Sequence, residues 1–145
     1  MLAGTLPDNV VVAFTGDEER DSRGAVQTVL ALGKMRCSVN FAIVLDVTNV
    51  GWNSGACITF ENDNGIDLFT AHKIVDAVKG TGVAYAFEHN AEPDESWDYG
   101  DYGIPVLSVC IPANGNLHGD DGVLLRKCDF IPYCNALGTI IKVLI

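Results

Sequence analysis

The sequence predicts an α/β protein of one domain covering residues 1–145, and three observations carry that prediction. Short β-branched runs alternate with stretches of helical periodicity. The clearest run, 41–47, is nearly continuous in apolar character, as expected of a strand whose two faces are both covered by helices. Carboxylates and a histidine recur at, or just after, the carboxyl ends of predicted strands, where α/β sheets place functional loops.

Residues 9–15 (NVVVAFT) form a short β-branched run and read as a buried strand, which ends in the turn and charge signal Gly16-Asp17-Glu18-Glu19. A helix follows over 22–35, with Ala25, Val26, Val29, Leu30 and Leu32 at helical spacing and Gly33 as a weak point near its end. Residues 41–47 are the second strand, with Asp46 close to its carboxyl end, and 56–60 the third. Over 67–78 the spacing of Leu68, Phe69, His72, Ile74, Val75 and Val78 predicts a helix that buries one face, stopped by Gly80-Thr81-Gly82. A short strand spans 83–87. The polar, acidic stretch 88–102 reads as a loop, and the aromatic Trp97, Tyr99 and Tyr102 within it are candidates for a side-chain pocket. Pro105 opens a strand over 104–111, residues 114–122 are a further loop, and 129–145 close the chain as a helix with Pro132 in its first turn.

Nineteen acidic against nine basic residues give a formal charge of −10, a field that repels phosphate backbones and argues against nucleic acid as a partner. No apolar run is long enough to cross a bilayer, so no membrane association is expected. The N-terminus lacks the basic region of a signal peptide, and the expected compartment is the cytoplasm. Five widely spaced cysteines contain no CxxC pair. They predict neither a disulfide framework nor a thiolate metal site, and Cys37, Cys57 and Cys110 read as buried structural thiols. A serine or cysteine hydrolase is disfavoured, since the chain has no Gly-x-Ser-x-Gly elbow and no convincing Cys–His pair.

Oxygen and imidazole donors from several strand ends suit zinc, cobalt or manganese. Glu18 and Glu19 are adjacent, so on an extended loop one can ligate a metal while the other deprotonates a metal-bound water. In isolation an Asp-Glu-Glu-Arg-Asp run is more commonly a solvated helix start, favoured there by the macrodipole. Asp46 needs a partner for a buried charge, by hydrogen bond or by metal. His118, in Asn-Leu-His-Gly-Asp-Asp-Gly, is a candidate ligand, whereas His72 and His89 read as structural.

These features together resemble the zinc-dependent exopeptidases, the aminopeptidase and carboxypeptidase superfamily with a co-catalytic metal pair. Phe14-Thr15-Gly16-Asp17-Glu18-Glu19 is similar to the Glu-Glu motif of that family. Leu45-Asp46-Val47-Thr48 resembles its strand-end aspartate, and Gly103-Ile104-Pro105 followed by a strand and Leu117-His118 resembles its Gly-Ile-Pro stretch and terminal histidine ligand. The resemblance covers nearly the whole chain and implies a three-layer α/β/α fold with a central mixed sheet, the phosphorylase/hydrolase-like catalytic core of that family. It makes Glu18 the general base, Glu19 and His118 ligands of one metal and Asp46 a ligand of the other, with Asp94 or Glu95 near the substrate. The implied cofactor is a divalent metal, zinc with cobalt or manganese as substitutes, and the implied substrate a peptide or small amide. Only 72 residues separate Asp46 from His118, which leaves little room for an inserted lid or dimerisation domain and favours a compact aminopeptidase-like branch.

The family also supplies a His-x-Asp-type motif and a bridging aspartate upstream of Glu-Glu, whereas no histidine precedes Glu18 here and Asp8 is a poor bridge. The expectation is therefore the C-terminal portion of a catalytic domain lacking its N-terminal strands, with an incomplete metal cage. A sheet edge left exposed in this way would favour a homo-oligomer. The alternative function is a non-catalytic binding or assembly module that keeps the peptidase fold.

Overall fold

The computed structural model describes residues 7–16, 23–89, 91–117 and 122–145. Among these residues four helices and five strands follow in the order α1 Arg23–Lys34, β1 Ala42–Thr48, β2 Ile58–Asn64, α2 Leu68–Thr81, β3 Tyr85–Phe87, α3 Glu95–Asp101, β4 Val106–Gly115, β5 Val123–Leu125 and α4 Lys127–Leu144. The fold is mixed α/β. The sheet is mixed, with order β1-β4-β2-β3 and β5 paired to the far end of β4. Strands β1 and β4 run parallel, β2 runs antiparallel to β4, and β3 runs parallel to β2.

Strand β4 organises the rest, and its first eight residues are buried. Side chains alternate between the two faces of a strand. Leu107, Val109 and Ile111 meet Ile58 and Phe60 of β2, Ile74 and Val78 of α2, and Tyr133, Ala136 and Ile140 of α4 in one apolar cluster. The hydroxyl of Tyr133 donates to the carbonyl of Val109 at 2.7 Å, so the polar group that Tyr133 brings into this layer is satisfied. The alternate residues Ser108, Cys110 and Pro112 face the other way, in register with Val44, Asp46 and Thr48 of β1. Thr59 and Glu61 of β2 oppose Cys110 and Ser108. Helix α3 is fastened to this second, polar face through Ser108, whose hydroxyl donates to Asp94.

The helix ends have local causes. Helix α1 stops not at Gly33 but through Arg36, which takes a left-handed φ of 57°. The amide of Cys37 bonds the Leu32 carbonyl and that of Arg36 the Gly33 carbonyl, the paired bonds of a Schellman ending. Asp67 caps α2 by accepting from the amide of Thr70 at 2.9 Å, and Gly82, at φ 73°, closes it.

Several expectations are corrected. Residues 9–15 are not a buried strand: among the described residues they pair with no strand, and Val11, Val12 and Phe14 are exposed, Phe14 at 98%. A β-branched run becomes a strand only where a neighbouring backbone takes its hydrogen bonds, and local composition does not supply one. The expected buried face of α2 is narrower than predicted, because Leu68 and Phe69 are exposed and burial falls on Ile74 and Val78. The loop over 88–102 contains α3. Helix α4 begins at Lys127, which puts Pro132 inside the helix rather than in its first turn. Lacking an N–H, Pro132 leaves the Cys128 carbonyl without its helical donor. Cys37 is exposed and Cys57 only partly buried, while Cys110 is buried as expected. No helix among the described residues is long and apolar enough to cross a membrane.

Candidate functional site

The carboxyl end of β1 opens onto a cleft of about 620 Å³. Its walls come from Asp46, Thr48 and the turn after β1, from Glu61 of β2, from Glu88, Glu92 and Asp94 ahead of α3, and from Gly115, Asn116 and Leu117 at the end of β4. Five of these residues are carboxylates, and among the described residues no lysine, arginine or histidine lines the cleft. The local field is strongly negative and favours cationic ligands.

Each carboxylate is positioned by a distinct device. Asp46 stands beside Cys110 in the parallel register of β1 and β4, and its Oδ1 accepts from the Val47 amide at 2.7 Å. Asp46 is exposed, which corrects the expectation of a buried charge needing a partner. Glu61 lies where the β2–β4 register shifts between Glu61 and Asp63, with Asn62 at φ 35° in between. Such a bulge re-aims the side chains beside it. The Asn62 side chain donates to the Glu92 carbonyl at 2.8 Å and so holds Glu92 at the cleft. Asp94 caps α3 through the Ser96 amide at 2.9 Å and accepts from Ser108 at 2.5 Å.

Burial is the main cause that raises the Glu61 carboxyl above its ordinary value, and Asp94 and Glu88 add to it. Hydrogen bonds from Thr48 and Cys110 work in the opposite direction. The buried Oε1 of Glu61 meets no partner among the described residues. Burial, and then the charges of Glu61, Asp46 and Asp94, push the Cys110 thiol strongly up. A thiol held protonated in this way is a poor nucleophile, which removes Cys110 as a catalytic cysteine.

Of the residues predicted to carry chemistry, Asp46 is the one among the described residues; Glu18, Glu19 and His118 lie outside them. The chain on either side is described. A Cβ built on Gly24 would lie 2.4 Å from the Gly16 carbonyl oxygen, so the two glycines flanking 17–22 are in contact. The hydroxyl of Thr15 donates to Glu95 at 2.8 Å, one residue from Asp94 in the cleft wall. Asn116 and Leu117, which precede His118, line the cleft directly. Among the described residues no group of three or more histidine, cysteine or carboxylate side chains is arranged to hold a metal ion. The described residues therefore do not by themselves form a cage for the implied metal.

No family model and no curated protein matches this chain. The site thus rests on its own geometry.

Glu61, Glu88 and Glu92 were not singled out from sequence. Ending the strand at Phe60, because the following residues are polar, hid the fact that β2 runs on to Asn64 and carries Glu61 inward. Trp97 lines a second cavity of about 430 Å³ with Phe60, Phe87, Ile74 and His89 rather than the acidic cleft. His89 is exposed and stacks on Phe87 at 6.2 Å, and His72 is exposed on α2. Tyr102 ends α3 and is half exposed.

Proposed function

We propose that the chain carries catalytic residues of a metal-dependent exopeptidase of the zinc type, which removes a terminal residue from a peptide or cleaves a related amide. The observation that carries this reading is that Asp46 and the two residues preceding His118 line one acidic cleft at the carboxyl ends of the parallel strands β1 and β4. The contact between Gly16 and Gly24 and the bond from Thr15 to Glu95 support it, since they anchor both flanks of the Glu18-Glu19 segment close to the same wall. In this reading Glu18 is the general base, Glu19 and His118 hold one ion and Asp46 the other. A bound divalent ion of this kind lowers the pKa of water to about 7. The chain's own part is to hold Asp46 in place through the Val47 amide and to present a negative wall to a cationic peptide terminus.

A second reading is a binding or assembly module with the same fold. Titration of the full chain with zinc, and with cobalt as a spectroscopic probe, separates the two. Catalytic zinc sites use three protein ligands, so the exopeptidase reading expects binding no tighter than about micromolar. It also expects Asp46→Asn and His118→Ala each to weaken that binding by about tenfold or more. Hydrolysis of an aminoacyl anilide at saturating cobalt should be slow and lost in Glu18→Gln. Absence of binding at millimolar metal, or hydrolysis that survives Glu18→Gln, would overturn the exopeptidase reading.

A further inference from the structure

Away from the acidic cleft, two thiols converge on a single carboxylate oxygen. Cys57, just ahead of β2, donates to Asp129 Oδ1 at 3.6 Å, and Cys128, in the first turn of α4, donates to the same atom at 3.5 Å. Both sulfurs being tied to one atom, they can be no farther apart than about 7 Å. The platform beneath them is fixed. Asp129 is 6% exposed and its Oδ2 pairs with Arg126 Nε at 2.5 Å. Arg126 in turn donates to the carbonyls of Trp52 at 3.1 Å and Ala56 at 2.7 Å, and its guanidinium lies 4.7 Å from the centre of the Trp52 ring. The segment before Cys57 and the start of α4 are thus held together before any covalent link forms. Cys128 is exposed to an oxidant, whereas Cys57 is partly covered.

We propose that Cys57 and Cys128 are a reversible oxidation site, which forms an intramolecular disulfide with a low-molecular-weight disulfide such as oxidised glutathione as the oxidant. The Cys128 thiolate attacks one sulfur of the oxidant and expels the first small thiol, leaving a mixed disulfide on Cys128. Cys57 then loses its proton to solvent, its thiolate attacks the Cys128 sulfur, and the second small molecule leaves as a thiolate that takes up a proton from solvent. Two protein thiols are oxidised to one disulfide, and the oxidant is reduced to two thiols. Burial first, and then the Asp129 charge, hold the Cys57 thiol above its ordinary 9.0, so the second step is the slow one and quickens as pH rises.

The consequence reaches the cleft. The link would fasten to α4 the turn whose earlier residues Thr48, Asn49 and Val50 form one cleft wall. That turn is already braced by Thr59, which donates to the Val50 carbonyl at 3.0 Å. Oxidation would therefore stiffen one side of the acidic cleft without consuming any of its carboxylates.

The native full chain, equilibrated with mixtures of reduced and oxidised glutathione and quenched with an alkylating agent, provides the test. Proteolytic mapping is expected to find a Cys57–Cys128 crosslink as the main product, removed by dithiothreitol. It should be absent from Cys57→Ser and from Cys128→Ser, and unchanged in Cys37→Ser. Glutathione that stays on Cys128 in the native protein, a main crosslink through Cys37, Cys110 or Cys134, or a Cys57–Cys128 link that forms only in denaturant would each overturn the proposal.

Discussion

Ser108, in the middle of β4, donates its hydroxyl to Asp94 at 2.5 Å, and Asp94 at the same time caps α3 through the amide of Ser96. One carboxylate therefore ends a loop, starts a helix and fastens that helix to a buried strand. Ser108 is fully buried, so the hydroxyl has no water to fall back on. Asp94→Ala removes these bonds and a third from the buried Ser96 hydroxyl, and should destabilise the protein by about 3 kcal/mol, the sum expected for a lost cap and two orphaned buried hydroxyls. Urea unfolding of the variant beside the wild type measures it, and a change under half a unit would mean that α3 is held by its other contacts.

The Arg126–Asp129 pair is a second point of tension. Removing Asp129 leaves the Arg126 charge partly buried and unpaired, and removing Arg126 leaves the Asp129 charge so and also frees the carbonyls of Trp52 and Ala56. Asp129→Ala should cost about 3 kcal/mol, more than any exposed ion pair would. Thermal unfolding should show the loss, and Arg126→Ala should show one of similar size.

Glu61 predicts a pH dependence of stability. Its carboxyl is raised, chiefly by burial, from an ordinary value of 4.5. A group raised on folding contributes stability that is full below its unfolded value and is lost as pH rises through its folded value. Glu61→Gln should therefore be more stable than the wild type at pH 7 and lose that advantage at pH 4. Denaturant midpoints at the two pH values provide the measurement, and an equal difference at both would contradict the assignment.

Gly24 offers a steric test of the chain beside Glu18 and Glu19. A Cβ there would meet the Gly16 oxygen at 2.4 Å, the Gly16 nitrogen at 2.6 Å and the Thr15 Cβ at 2.8 Å. Gly24→Ala raises helix propensity in α1, yet it should destabilise by about 1 to 3 kcal/mol, because backbone rather than a flexible side chain blocks the methyl group. A stabilised variant, seen by thermal unfolding, would show that residues 15–16 do not sit against α1.

The sequence by itself determined those features whose cause is local. The apolar spacing in α1, α2 and α4, and the continuous runs of β1 and the first part of β4, are visible because helix and strand periods are written over a few neighbouring residues. Asp46 was legible for the same reason: one carboxylate interrupts an apolar run. The tertiary structure alone decided what depends on partners far along the chain. Residues 61–64 are polar and became strand because β4 supplied hydrogen bonds to them. Residues 10–15 are strongly β-branched and did not, because none of the described strands lies beside them. The bond that Asp94 makes with Ser108, 14 residues later, is not written in the polar loop around it. Glu61, Glu88 and Glu92 joined Asp46 only when the bulge in β2 and the Asn62–Glu92 bond closed the cleft. Backbone pairing over long sequence separations made those decisions, and no local pattern of residues encodes them.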